Sequence, residues 1–307
     1  MALQQGKKVQ TSIILRISFC VIGLFLASQS LAIDAEISGK LTQGGFIKGR
    51  VGPGVTVSYL NHKVSLTAQG DFIVGLGREA PEVVVLTLQK VGQAAENKFI
   101  NVKKRQYDIQ YINGVDQDKV TPAPERLERI RRENEMIGKI RQTDSQRTDF
   151  LKAFHWPAVG KITGVYGSQR YYNGLPLNPH FGVDIAGPVG TEVMAPLSGL
   201  VTLVHNDMFY SGGTLVVDHG HGISSTFIHL SKILVKVGDE ITLGQAIAKM
   251  GATGRATGPH LDWRINWFEQ RLDPELFVGP MPQIKPEPAA ETASQVDLKT
   301  ESGSVIK

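Results

Sequence analysis

The segment from His260 to Trp267 alternates polar and apolar residues. Leu261 and Trp263 belong to the apolar set, whereas His260 and Asp262 belong to the polar set. This period of two residues predicts a β-strand with one buried face. The other face would then present an imidazole and a carboxylate next to each other.

A second histidine and aspartate pair occurs earlier in the sequence. His180 and Asp184 are separated by an even number of residues, so an extended chain would place them on one face. Gly182 lies between them and leaves space above the backbone. A third imidazole, His229, follows an apolar run that ends at Ile228.

Imidazole nitrogens and carboxylate oxygens can hold zinc where no thiolate is present. A catalytic zinc site keeps three protein ligands and an open fourth position for water. We expect His180, Asp184 and Asp262 to supply the three ligands. His229 and His260 would then remain near the water, where they could accept its proton and stabilise developing charge.

Residues 164–276 resemble the lysostaphin-like, or LytM-type, zinc endopeptidases, which cleave the peptide bridges of bacterial peptidoglycan. The similarity runs in colinear order and includes most glycine turns. It is carried by Gly167-Ser168-Gln169-Arg170, His180-Phe181-Gly182-Val183-Asp184-Ile185-Ala186, Gly190-Thr191, Ala195-Pro196 with Gly199, Val217-Asp218-His219-Gly220, Ile228-His229-Leu230-Ser231, Val237-Gly238-Asp239 with Gly244-Gln245, and Gly251-Ala252-Thr253-Gly254 through Thr257-Gly258-Pro259-His260-Leu261.

The resemblance implies a role for each candidate residue. The His and Asp of the family's H-x-x-x-D motif bind zinc, and here they are His180 and Asp184. The family's two other histidines act on the water and the oxyanion, which implies catalytic roles for His229 and His260. The implied protein is a hydrolase of the metalloprotease class, with one zinc ion and peptidoglycan as its partner.

One departure from the family pattern falls on a metal ligand. The family closes with H-x-H, whose second histidine is the third zinc ligand, whereas this chain has Asp262 there. Aspartate does bind zinc, but a second carboxylate would lower the effective charge of the metal and raise the pKa of its water. The substitution could also favour manganese or another harder divalent metal.

Three interpretations remain open after this departure, of which a purely structural metal-binding lid domain is the least favoured. Four site positions keep the family residue and Asp262 is still a ligand type, which favours a working metalloendopeptidase that hydrolyses peptide cross-links or stems of peptidoglycan. The alternative is a catalytically inactive LytM-type domain that binds the wall and regulates another wall hydrolase. The histidines of a further H-x-H, His219 and His221, we interpret as turn residues after a strand.

The elements that must position these residues predict a mostly β protein. Residues 33–115 contain short alternating runs between Gly and Pro turns and predict a small β-sandwich or barrel. Residues 116–153 predict a charged helical linker, which either joins two domains or covers the site. Residues 154–280 predict an antiparallel β peptidase domain. Residues 281–307 lack aromatic residues and predict a disordered tail.

The loop that leads to His180 contains candidate substrate-binding residues. Arg170, Tyr171 and Tyr172 combine a cation with two aromatic rings. Gly174 makes the following loop irregular. We expect these three side chains to contact the substrate or the oxyanion.

The N-terminal residues 1–32 have the pattern of a signal peptide. A basic stretch precedes an apolar run over residues 17–27, and small residues occupy the expected cleavage position. We therefore expect export, to a periplasm rather than the extracellular medium, and no integral membrane span after signal removal. Without this segment the chain has 30 basic and 29 acidic residues, which gives no electrostatic reason to propose a nucleic-acid partner.

Overall fold

A computed structural model describes residues 32–60 and 62–283 of the protein. The predicted signal peptide lies outside these residues except at Ala32, and so does the predicted tail beyond residue 283. Both stay predictions. No helix in the described parts of the chain has the length and apolarity needed to cross a membrane.

The N-terminal part of the chain forms two antiparallel sheets. Their orders are β1-β2-β5 and β4-β3-β6-β7. Strand β3 illustrates the predicted alternation, since Val55, Val57 and Tyr59 are buried and Thr56 is exposed. The strands are β1 (Ala35–Lys40), β2 (Phe46–Val51), β3 (Val55–Tyr59), β4 (His62–Val64), β5 (Asp71–Gly75), β6 (Val83–Lys90) and β7 (Glu96–Asn101).

A short strand and two helices follow, namely β8 (Ile109–Ile112), α1 (Gln117–Val120) and α2 (Pro124–Arg141). Pro124 occupies the first turn of α2, as expected for a residue without a backbone N–H. The helix ends at Arg141, earlier than the predicted helical linker. Thr143 and Ser145 follow it, and their hydroxyls donate to the carbonyl of Ile140 and to the carboxylate of Asp218, which favours a turn over further helix.

The C-terminal part of the chain is dominated by an eight-stranded sheet. Its order is β18-β14-β15-β16-β20-β12-β9, with β21 paired to β20, while β13-β19-β17 form a smaller sheet. The strands are β9 (Ile162–Gly164), β10 (Gln169–Tyr172), β11 (Leu175–Pro176), β12 (Val183–Ala186), β13 (Glu192–Met194), β14 (Gly199–Met208), β15 (Gly212–Gly220), β16 (Ile223–Leu230), β17 (Lys232–Ile233), β18 (Glu240–Ile241), β19 (Ala246–Lys249), β20 (His260–Trp267) and β21 (Gln270–Leu272).

Strand β20 confirms the alternation that the sequence predicted. Leu261, Trp263 and Ile265 are fully buried in the core, so the opposite face of the strand carries the polar residues. The mostly β, antiparallel class is also confirmed, because every strand pair except β8 with β10 is antiparallel in the described residues.

One hydrophobic cluster runs through both parts of the chain. It includes Ile47 and Phe72 of the N-terminal sheets together with Trp263 of β20. Gly75 at the end of β5 lies against β20, and a Cβ added there would be 2.6 Å from the Cβ of Trp267. The absence of a side chain at Gly75 therefore allows the two parts to approach closely.

We expect Gly75→Ala to destabilise the protein by roughly 1–3 kcal/mol. The new methyl group would overpack the contact between the backbone of β5 and the side chain of Trp267. The measurement is urea unfolding followed by tryptophan fluorescence. The matched control is Gly52→Ala in the turn before β3, where an added Cβ meets no atom within 4 Å. Equal stability of the two variants would contradict this close contact.

Candidate metal centre

Two buried aspartates face each other across neighbouring strands. Asp184 of β12 is paired in register with Asp262 of β20, and the two side chains are 9% and 2% exposed. Gly182 makes this approach feasible, since a Cβ there would collide with the Asp262 carboxylate and come within 2.7 Å of Arg264. The register of the two strands thus brings the two carboxylates together.

His180 completes the cluster from the loop before β12. Its Nε2 is 3.1 Å from Oδ1 of Asp184, and its Nδ1 is 4.0 Å from Oδ2 of Asp262. Within the described chain, both His180 Nε2 and Asp184 Oδ1 are buried without a hydrogen-bond partner. Two facing, buried polar atoms without a hydrogen-bond partner favour a cation beside them.

Each aspartate is also paired with an arginine. Arg170 donates to Oδ2 of Asp184 at 2.5 Å, and Arg264 donates to both oxygens of Asp262 at 2.9 and 2.6 Å. Burial alone would raise the pKa of each carboxyl. For Asp184, His180 and Arg170 outweigh burial and hold its pKa well below the usual range. For Asp262, Arg264 and His180 do the same, against repulsion from Asp184.

These residues fit a divalent cation. One potential ligand atom from each of His180, Asp184 and Asp262 lies within 4.8 Å of the others, so small movements would bring all three to one ion. Asp262 keeps further lone pairs beyond the two that Arg264 engages. Imidazole and carboxylate donors suit zinc and manganese.

His229 lies beside this cluster with one ring nitrogen free. Its Nδ1 is 2.7 Å from the carbonyl oxygen of Thr253; because a carbonyl only accepts, Nδ1 carries the proton and Nε2 is bare. Burial lowers the pKa of His229 to about 4, so the ring is neutral at pH 7. Its φ of +65° is unusual for a non-glycine residue and typical of strain at a functional position.

His260 is oriented in a similar way. Its Nδ1 donates to the carbonyl oxygen of Gly258 at 2.9 Å, and its Nε2 lies 3.8 Å from Oδ1 of Asp184. The rings of His229 and His260 are 4.8 Å apart. All five residues that the sequence placed at the site are therefore neighbours.

A groove of about 1150 Å³ surrounds the cluster. The eight-stranded sheet provides its floor, and α2 contributes part of its wall through residues that include Ile130, Ile137 and Arg141. Ile137 and Ile140 anchor the helix by packing on Leu203 and Met208. The helix therefore borders the groove, and its role as a linker or as a cover of the site stays a prediction.

The three predicted substrate-binding residues differ in position. Arg170 and Tyr172 line the groove, but the Arg170 guanidinium is occupied by Asp184, Gln110 and the Tyr172 hydroxyl. Tyr171 is not among the residues lining this groove and stacks on Tyr111 with ring centroids 5.1 Å apart. Arg170 thus holds Asp184 in place, whereas contact of any of the three with substrate stays a prediction.

Sequence reasoning identified Arg170 but missed Arg264 and the three other arginines that line the groove. Arg264 lies on the polar face of β20 two residues after Asp262, and that spacing could have indicated their ion pair. Arg141 and Arg271 had no comparable signal, because they reach the groove from α2 and β21.

The fold and the centre together define a mostly β protein with a donor set for a divalent metal. The sequence profile of peptidase family M23 matches residues 178–274. A crystal structure described as a peptidase M23 from Pseudomonas aeruginosa is 30% identical in sequence and superposes with a TM-score of 0.62. The match covers 78% of this chain and 96% of that one. The chain belongs to peptidase family M23.

Two curated relatives match the same region. Peptidoglycan DD-endopeptidase ShyA of Vibrio cholerae serotype O1 is 44% identical over 87 residues, which are 28% of this chain and 20% of that protein. DD-carboxypeptidase/endopeptidase Mpg of Neisseria meningitidis serogroup B is 32% identical over 116 residues, 38% of this chain and 26% of that protein. The match thus spans about a fifth to a quarter of these relatives.

The second H-x-H motif lies outside the metal centre. The interpretation of His219 as a turn residue is wrong, because β15 continues to Gly220 through its pairing with Ile223. The His219 ring is fully buried between the Ser198 carbonyl and the Ser225 hydroxyl. His221 does follow the strand in a turn, with φ of +51°.

We expect His219 to make stability depend on pH. Burial lowers its pKa to about 4, so the unfolded chain takes up a proton first, near pH 6.5, and stability falls as pH decreases from 6.5 towards 4. This one group should cost about 2 kcal/mol between pH 7 and pH 5. Urea unfolding of wild type and His219→Gln across this range measures the difference in slope; parallel slopes would argue against it.

Arg264→Gln should lower stability without metal by roughly 3–5 kcal/mol, because Asp262 would remain buried and charged without its partner. A divalent cation should replace that partner. We therefore expect a larger rise in melting temperature on zinc addition for the variant than for wild type. Arg132→Gln on the exposed face of α2 is the control, and an equal zinc response in all three proteins would rule out competition between Arg264 and the metal.

Proposed function

We propose that this chain is an exported metalloendopeptidase that hydrolyses peptide bonds in the cross-links or stems of peptidoglycan. The observation that carries the proposal is the pair of buried, unpartnered atoms His180 Nε2 and Asp184 Oδ1 beside Asp262, in a groove that also contains His229 and His260. The printed functions of the Vibrio and Neisseria relatives support the choice of substrate.

His180, Asp184 and Asp262 would hold one zinc ion, or manganese. Such an ion supplies Lewis-acid activation of water and polarises the scissile carbonyl. The chain's own residues set the charge around it. Arg170 and Arg264 each draw electron density from one carboxylate, which offsets the loss of effective metal charge expected from replacing an imidazole by Asp262.

His229 and His260 are placed to accept and donate protons. Each has its Nδ1 proton directed to a backbone carbonyl and its Nε2 free, so either can accept a proton from water at Nε2. A proton that His229 takes up at Nε2 would then be passed on to the leaving amine. The imidazolium formed would also stabilise negative charge on the attacked carbonyl oxygen.

Peptidoglycan as substrate requires a location outside the cytoplasm. The N-terminal signal pattern agrees with export, and we favour the periplasm. Regulation of another wall hydrolase by an inactive domain is the competing function. The Asp262–Arg264 ion pair bears on this choice, because the guanidinium competes with a metal for the lone pairs of Asp262.

The test is digestion of cross-linked sacculi by the purified exported chain, with its metal content measured beforehand and the soluble products identified by mass spectrometry. We expect cleavage products that disappear with a chelator and return with zinc. Asp262→Ala should bind clearly less than one metal ion per chain. His229→Ala should keep the metal and reduce kcat/KM by about 10²–10⁴-fold, the usual worth of a general acid or base.

His62→Ala is the matched control, because His62 is exposed on β4 outside the groove, and it should match wild type. Stoichiometric metal in Asp262→Ala would remove Asp262 from the ligand set. A folded protein that binds sacculi and releases no product, with or without added metal, would overturn the enzyme proposal in favour of the regulator.

A further inference from the structure

Three arginines in the groove have no carboxylate within ion-pair distance in the described chain, namely Arg141, Arg255 and Arg271. Arg255 is compensated in another way, since its guanidinium lies 4.7 Å from the ring centroids of both Tyr172 and Tyr210. Arg141 and Arg271 have no such aromatic sandwich. They form the arginine pair discussed below.

Arg141 is the last residue of α2 and extends into the groove. Its Nε is buried and has no hydrogen-bond partner among the described residues. A buried guanidinium nitrogen without a partner is costly, although Arg141 as a whole is only half-buried. Since Arg141 also makes no ion pair in the described chain, its position calls for an anion that comes from outside the chain.

Arg271 reaches the same groove from β21. Its Nη1 donates to Oδ1 of Asn266 at 2.8 Å, and its guanidinium lies 5.8 Å from the ring centroid of Phe181. The nearby carboxylate of Glu269 accepts from Gln142 at 3.1 Å and pairs with neither arginine. The remaining N–H donors of the Arg271 guanidinium are therefore available to a ligand.

The two arginines repel each other. Burial and the neighbouring charge of Arg271 and Arg264 lower the pKa of Arg141 to about 8. Burial and Arg264 lower that of Arg271 to about 10. Glu269 opposes both shifts only in part. The groove thus keeps an excess of positive charge, which a bound anion would relieve.

The arginine pair lies beyond the metal centre along β20. Asn266 is directly opposite Arg271 and four residues from Asp262, which corresponds to roughly 13 Å of extended strand. An extended peptide rises by a similar amount per residue. A peptide whose scissile bond lies at the metal centre would therefore reach the arginine pair with a group a few residues away.

We propose that Arg141 and Arg271 form a subsite that binds a free carboxylate of the peptide substrate, a few residues from the bond that is cut. This inference rests on the proposed function and specifies its substrate class as acidic peptides. Two guanidinium forks suit a carboxylate, because each can donate two parallel hydrogen bonds to it.

The experiment measures equilibrium binding by calorimetry, with the full exported chain and a chelator that prevents turnover. The probes are soluble fragments of cross-linked peptidoglycan, either native or with their carboxylates amidated by carbodiimide and ammonium. We expect wild type to bind native fragments at least tenfold more tightly than amidated ones. Arg141→Gln and Arg271→Gln should each weaken binding of native fragments about tenfold and leave binding of amidated fragments unchanged.

Arg132→Gln is the control for charge, because it removes one exposed arginine from the same helix, and it should leave both affinities unchanged. Arg141→Gln should melt at or above the wild-type temperature, since it removes a desolvated charge. Equal wild-type affinity for the two probes, equal weakening of both by the variants, or no binding of native fragments would overturn the subsite.

The readout separates this inference from the proposed function. A contrast between native and amidated fragments without any cleavage of sacculi would support the subsite in a protein that is not an enzyme. Chelator-sensitive cleavage without that contrast would support the enzyme and reject the subsite.

Discussion

Two buried carboxylates placed opposite each other are the constraint on which the rest of this site depends. The register of β12 against β20 fixes Asp184 and Asp262 at that position, and like charges directly across a strand pair are destabilising. Arg170, Arg264 and His180 compensate them without neutralising every atom. The unpartnered atoms of His180 and Asp184 leave a place that suits a divalent cation. The same residues therefore both compensate the buried charges and offer ligands for a metal.

The compensation requires residues from distant parts of the sequence. Gln110 of β8 accepts from Nε of Arg170, and the parallel pairing of β8 with β10 places these two residues side by side. Strand β8, which follows the two sheets of the N-terminal part of the chain, therefore helps to orient the arginine that holds Asp184. A continuous hydrophobic cluster, with Gly75 of β5 close to Trp267, fixes this part against the eight-stranded sheet.

Asp262 occupies the position where the resemblance to the family implies a histidine, and Arg264 lies against it. A carboxylate at this position would add negative charge to the centre, but Arg264 engages both of its oxygens. The pair can be viewed as a unit whose net charge is close to that of a neutral imidazole. The same guanidinium competes with a metal for Asp262, so its displacement or retention governs how strongly the centre binds a cation.

The sequence by itself determined the local features. Alternation over β20 predicted its buried and polar faces, the spacing of His180 and Asp184 predicted their proximity, and the family motifs indicated His229 and His260. Only the tertiary structure showed that Arg264 pairs with Asp262 and that Arg141 and Arg271 meet in one groove. Strand periodicity and motif spacing are local properties, whereas ion pairs and buried guanidinium groups depend on which distant segments the core brings together.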